Sequence, residues 1–75
     1  AEIDLVIELG DGALWAIEIK RSASAKVEAG FHIACADLKP TRAFVVHAGA
    51  DRYPLSDTLE AIGVRAMAEE LRALW

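Results

Sequence analysis

The sequence has one cysteine, two prolines and no hydrophobic run near 18 residues among its 75 positions. These shortages exclude a disulfide-stapled miniprotein, a cysteine-rich zinc module and a membrane-spanning helix. The length excludes a two-domain enzyme with its own nucleotide-binding lobe, since one domain usually needs about 100–200 residues. No G-x-x-x-x-G-K-[ST] phosphate-binding loop is present, so we expect no ATP site of that kind. A single cysteine, Cys35, is typical of a protein in a reducing compartment, and no export leader is present in the sequence. We therefore expect a cytoplasmic location.

Basic residues are also scarce, with 8 Lys and Arg against 12 Asp and Glu and a net charge of −4. This balance argues against a general nucleic-acid-binding face, which needs positive charge to neutralise phosphates. It leaves room for a local site in which carboxylates hold a divalent ion. Hydrophobic residues make up 55% of the chain. A chain this short builds only a small core, so we expect a partner, a second copy or a longer parent protein to support it.

The N-terminal third predicts an antiparallel hairpin. Residues 2–9 are rich in strand-forming types and largely alternate between two faces, and residues 13–20 form the return strand. Between them, Gly10-Asp11-Gly12 is typical of a tight turn. The chain opens directly on this pattern without a methionine, which we interpret as a piece of something longer.

A helix and a strand follow the hairpin. Either Ser22 or Ser24 is a suitable helix cap, apolar residues recur at helical spacing from Val27 to Leu38, and Pro40 ends the helix. The nearly continuous apolar run 42–47 then predicts a strand covered on both faces, parallel to the second hairpin strand.

The last third is less regular. We expect a loop over 48–57, a strand over 58–64 and a short helix with Met67 and Leu71 inward. Glu69, Glu70 and Arg72 are predicted to face outward from that helix. The fold class is therefore α/β (α+β): a mixed sheet with an N-terminal hairpin, a crossover helix and a short C-terminal helix.

The hairpin register brings three charged residues together. A three-residue turn places Leu9 opposite Ala13, so facing positions sum to 22 and Asp4 lies opposite Glu18. Lys20 shares their face, two residues along the strand. The other face carries Ile3, Leu5, Ile7, Leu9, Trp15, Ile17 and Ile19, and we expect the long helix to pack there.

Directly opposite carboxylates are close enough to share one cation. Hard oxygen ligands suit Mg²⁺ or Mn²⁺, and the carbonyl of Ile19 is a candidate further ligand beside Asp4 and Glu18. A bound metal can acidify water and stabilise an in-line phosphoryl displacement, with Lys20 contacting the water or the phosphate. The plain alternative is a solvated sheet face with a cross-strand salt bridge.

The pattern Asp4, then Glu18-Ile19-Lys20 on the next strand, resembles the PD-(D/E)xK nuclease superfamily, with Ile3 where that family often has proline. Residues 2–8 and 16–22 are similar to the nuclease-like C-terminal domain of uncharacterised prokaryotic AAA-type ATPases. The resemblance implies a restriction-endonuclease-like core, catalytic Asp4, Glu18 and Lys20, and a nucleic-acid phosphodiester substrate. It also implies that the rest of the ATPase chain is a partner. The superfamily's further acidic residue, on a helix before the Asp strand, has no counterpart here.

Two alternatives stay open on sequence. The domain is either a metal-dependent nuclease, active or vestigial, or a non-catalytic module for oligomerisation or protein interaction in the parent ATPase. His47, at the end of a strand that should run beside Glu18, is either a nearby proton shuttle or, more simply, a structural side chain.

Overall fold

Two antiparallel strands joined by a tight turn open the fold, as the sequence predicts. The fold is described from a computed structural model that covers residues 3–23 and 26–74. The elements are β1 (Leu5–Glu8), β2 (Leu14–Ile19), α1 (Ala29–Leu38), β3 (Arg42–His47), β4 (Tyr53–Pro54), β5 (Leu59–Gly63) and α2 (Val64–Arg72). No helix in the described part of the chain is long and apolar enough to cross a membrane.

The hairpin has the predicted register. Its pairs run from Leu5 opposite Ile17 to Glu8 opposite Leu14, so facing positions sum to 22. Leu9 N–H donates to Ala13 O at 2.9 Å, which closes the three-residue turn. Gly12 has a φ of 88°, a left-handed conformation that side chains disfavour, and this explains why glycine occupies that turn position.

The described strands form one mixed sheet in the order β1-β2-β3-β5-β4. Strands β2, β3 and β5 are parallel, and β1 and β4 are antiparallel additions at the two edges. The predicted βαβ unit is confirmed, because α1 connects two parallel neighbours. The loop predicted over 48–57 contains the two-residue strand β4, which is too short to show any alternation.

Both faces of the sheet are covered. One core cluster joins α1 to the sheet and consists of Ala16, Phe31, Ala43, Val45, Leu59 and Ala61. The other joins α2 to the sheet and consists of Trp15, Ile17, Phe44, Val46, Ile62 and Met67. The expectation that the long helix packs on the Ile17 face is therefore wrong, since α1 covers the face of Ala16. Small side chains on that face let the helix approach closely, and alternation within β2 did not reveal this.

The helix boundaries also differ from the prediction. Glu28 occupies the N-cap position of α1, and its side chain makes no capping hydrogen bond. Ser22 lies six residues earlier and is not the cap, while Ser24 and Glu2 lie outside the described residues. The helix ends as expected before Pro40, with Lys39 in the left-handed conformation and its N–H bonded to Cys35 O.

Candidate functional site

Glu18 and Lys20 lie together where β2 ends. Alternation along the strand places both on the face covered by α1. The Lys20 Nζ is 3.4 Å from Glu18 Oε1, and the Glu18 side chain is only 13% exposed. The predicted proximity of these two residues is therefore observed.

A third charged residue, Glu28, completes this cluster. The Lys20 Nζ lies 3.3 Å from Glu28 Oε1, so the ammonium stands between two carboxylates. Sequence reasoning missed Glu28 because its position depends on the path of residues 21–28 from the strand to the helix. The one usable signal is its place directly before α1, where a carboxylate also interacts favourably with the helix dipole.

One oxygen of Glu18 is buried without a partner. Among the described residues, Glu18 Oε2 is the buried side-chain polar atom that has no hydrogen bond. Leaving a buried acceptor unsatisfied costs about 1–3 kcal/mol, and more when the group is charged. Folding gains nothing from such an atom, so it is a candidate for binding a ligand.

Asp4 lies one residue before β1 and is hydrogen-bonded to β2. Its Oδ2 accepts from Ile19 N–H at 2.8 Å, and its own N–H donates to Ile17 O at 3.1 Å. The carboxylate thus takes the Ile19 amide that the next regular pair would have given to Ile3 O. Asp4 is held within one residue of Glu18 along β2, although the described ladder ends at Leu5.

The bend at Asp4 also reverses the face of Ile3. Ile3 packs against the cluster of Ala16 and Phe31, not on the face of Ile17 where alternation predicted it. The strand pattern ends at Leu5, so alternation cannot be extended through residues 3 and 4.

The charges of this cluster change the acidity of two neighbours. Burial opposes the charge on Lys20, but hydrogen bonds and charge from Glu28 and Glu18 outweigh it and raise the pKa of Lys20 above its ordinary 10.5. Burial, then the negative charge of Glu18, raises the pKa of the Cys35 thiol above 9.0. The negative charge of Glu18 therefore acts on a side chain of α1 as well as on its neighbour Lys20.

The donor set suits a hard cation only in part. Glu18 Oε2 has no hydrogen-bond partner, and the hydrogen bond from Ile19 N–H occupies only the Oδ2 atom of Asp4. Carboxylate oxygens are the ligands that Mg²⁺ and Mn²⁺ prefer. Across residues 3–23 and 26–74, no group of three or more His, Cys, Asp and Glu is placed to hold a metal ion. A divalent ion at Glu18 would also meet the Lys20 ammonium. The arrangement fits a weak two-carboxylate site better than a strong one.

His47 is a structural residue. It is 1% exposed, accepts from Gly49 N–H through Nδ1 at 3.0 Å, and its Nε2 lies 2.8 Å from Asp51 O. A neutral ring with its proton on Nε2 satisfies both contacts. Both nitrogens are thus used to fix the loop after β3, which agrees with the structural alternative and leaves neither free to move a proton.

A second charged cluster lies on the α2 side of the sheet. Arg42 bonds Glu70 at 2.7 Å and Glu60 at 3.2 Å, and Arg52 pairs with the same two carboxylates. Hydrogen bonding from Arg42, more than the opposing effect of burial, lowers the pKa of Glu70 below its ordinary 4.5, and Arg52 adds to this. The prediction that Glu70 faces outward is therefore wrong, because its carboxylate turns toward Arg42 on β3 and Arg52 in the loop before β4.

Comparison with known proteins gives a family but no solved fold. A family model described as Domain of unknown function (DUF4143) matches residues 1–67. The chain is 39% identical over 62 residues to an uncharacterized protein of Mycobacterium bovis and to one of Mycobacterium tuberculosis. These matches cover 83% of this chain but 14% of each relative. No solved structure matches the chain.

Proposed function

Because this chain belongs to the family described as Domain of unknown function (DUF4143), we propose that it is a nuclease-like domain of a larger ATPase-associated protein. Its chemistry would be metal-dependent phosphodiester hydrolysis at Asp4, Glu18 and Lys20. The chain spans 14% of the length of the curated relatives it matches, which is consistent with one domain of a longer protein.

The observation that carries this proposal is the unpartnered, buried Oε2 of Glu18 beside Lys20. A purely structural ion pair would satisfy both oxygens of a carboxylate that is taken out of water. In the proposed site Glu18 and Asp4 hold Mg²⁺ or Mn²⁺, with the Ile19 carbonyl as a further candidate ligand. The metal supplies Lewis acidity toward a phosphodiester, and Lys20 holds the attacking water or the phosphate.

Lys20 and the cation have opposing requirements at this site. The Lys20 ammonium lies 3.4 Å from Glu18 Oε1 and partly neutralises the negative charge that would attract a metal ion. Binding of the ion therefore has to displace part of this ion pair, and we expect weak affinity. Lys20 Nζ already lies 3.3 Å from Glu28 Oε1, so the ammonium keeps one carboxylate partner when its contact with Glu18 is lost.

The test is a Mn²⁺ titration of the chain, its Asp4→Ala and Glu18→Ala variants, and Glu8→Ala as the matched control. Glu8 is an exposed acid on the same hairpin. We expect weak binding to the wild type and to Glu8→Ala, and none to the other two. Lys20→Met should bind Mn²⁺ several-fold more tightly, since a competing charge is removed, yet show no cleavage of nucleic acid. Binding unaffected by Asp4→Ala or Glu18→Ala would contradict the proposal.

A non-catalytic interaction module of the parent ATPase is the second candidate. The observation that favours it is the exposed apolar surface on the α2 side of the hairpin, where Leu5, Ile19 and Val64 are accessible. Tight partner binding by a chain that shows neither Mn²⁺ affinity nor cleavage would favour this function over the first.

A further inference from the structure

The hairpin's outer strand, β1, lies at one edge of the sheet that the described residues form. In the described sheet β1 is paired with β2 on one side and lies at the end of the strand order. Such an edge offers backbone donors and acceptors to any strand that can align with it.

The register identifies which backbone groups are on offer. The Leu9–Ala13 pair is hydrogen-bonded, and bonded pairs alternate along an antiparallel ladder. Leu5 and Ile7 are therefore bonded to β2, while the N–H and C=O groups of Val6 and Glu8 point away from it. The edge thus presents two donors and two acceptors in strand geometry.

The side chains around this edge are apolar and accessible. Leu5 is 45% exposed and Val6 46% exposed, on opposite faces of the strand. On the Leu5 side a groove of about 240 Å³ runs from β1 to α2, lined by apolar residues that include Ile19, Met67 and Leu71. A strand added beside β1 would place its own apolar side chains at the open side of this groove.

The charge along this edge has one sign. Residues 3–12 include Asp4, Glu8 and Asp11 and no lysine or arginine. None of these three carboxylates belongs to an ion pair within the described part of the chain. A second copy of the chain would bring the same acids and another net charge of −4, so electrostatics disfavours self-pairing here.

We propose that β1 is a docking edge for an extended peptide segment with a central apolar run and a lysine or arginine at each end. The apolar positions lie beside Leu5, Val6 and Ile7, and the basic ends lie beside Asp4 and Glu8. Backbone bonds to Val6 and Glu8 give affinity, and the two acids give selectivity. The docking edge shares Asp4 with the proposed metal site, but the backbone bonds and the contact with Glu8 require no bound ion.

The probe is an acetylated, amidated heptapeptide, Thr-Lys-Val-Ile-Val-Lys-Thr, titrated into the ¹⁵N-labelled chain. We expect the amide signals of Val6 and Glu8 to shift. The same peptide with glutamate in place of both lysines should bind about tenfold more weakly, and salt should reduce this difference. Equal affinity for the two peptides, or shifts confined to other elements, would overturn the proposal.

Variants of the chain separate docking from folding. Val6→Pro removes an outward amide and leaves the hairpin bonds intact, so peptide affinity should fall about tenfold, while Val6→Thr stays within about twofold. Glu8→Lys should abolish the preference for the lysine peptide and bind the glutamate peptide more tightly than the wild type does, a gain that an unfolded chain cannot produce. Retention of full affinity by Val6→Pro, or a chain dimer in sedimentation equilibrium that excludes the peptide, would contradict the proposed occupant.

Discussion

The two charged clusters of this domain lie on opposite faces of one sheet and differ in balance. The cluster on the α2 side has two arginines and two glutamates, and each arginine contacts both carboxylates. The cluster on the α1 side has one ammonium between two carboxylates, and one buried oxygen has no partner.

This difference indicates what each cluster does. In the balanced cluster, Arg42 also lies over the rings of Trp15 and Phe44, at 5.0 and 4.7 Å, so its contacts tie α2 to the sheet. In the α1-side cluster, negative charge exceeds positive charge where the sheet is partly buried. Stability explains the first arrangement, whereas the second costs stability, and this cost is the basis for the cation site proposed above.

The largest expected effect is on the balanced cluster. Arg42→Met should lower the free energy of unfolding by about 1–2 kcal/mol, since it removes two ion pairs and two ring contacts of a partly exposed side chain. Urea unfolding measures this, with Arg65→Met on exposed α2 surface as control. If the two variants lost equal stability, the contacts of Arg42 would not hold α2 on the sheet as described above.

A smaller effect is expected at low pH. The pKa of Glu70 is lowered in the folded state, so its contribution is present above its ordinary pKa of 4.5 and is lost as pH falls below it. The stability difference between wild type and Glu70→Gln should therefore shrink below about pH 4.5. Unfolding at a series of pH values tests this, with Glu69→Gln, the exposed neighbour, as the matched control.

The smallest expected effect reports on Glu18. Because its charge helps raise the pKa of the Cys35 thiol, Glu18→Gln should lower that pKa and speed reaction with iodoacetamide at pH 8. Glu28→Gln is the control, since Glu28 does not contribute to the Cys35 shift. Mg²⁺ should also speed the reaction of Cys35 with iodoacetamide in the wild type, because the bound ion would neutralise the charge of Glu18. An unchanged rate in Glu18→Gln would place that charge away from α1.

The elements that the sequence predicts well are those fixed by local rules. A three-residue turn sets the register of the hairpin, and alternation along β2 brings Glu18 and Lys20 to one face. The parallel strand over 42–47 follows from a nearly continuous apolar run. Each of these depends on residues close in sequence.

The features that could not be predicted depend on tertiary packing. Because Glu18 and Lys20 are charged, the sequence predicts that their face of β2 is polar and not covered by the helix. The small side chains of Ala16, Ala43 and Ala61 on the same face of the sheet leave room for α1. The approach of Glu28 to Lys20 depends on the path of the connecting segment. The partners of Glu70 are Arg42 on β3 and Arg52 in the loop before β4, so helical periodicity places Glu70 without revealing its contacts.

The account depends on a cation binding between Asp4 and Glu18, and Mn²⁺-induced line broadening measures this directly. At substoichiometric Mn²⁺, the amide signals of Asp4, Ile19 and Lys20 should broaden first, and an excess of Mg²⁺ should restore them. If broadening began instead at exposed carboxylates such as Asp37 or Asp57, or spread evenly over the chain, the cation site proposed for this domain would be wrong.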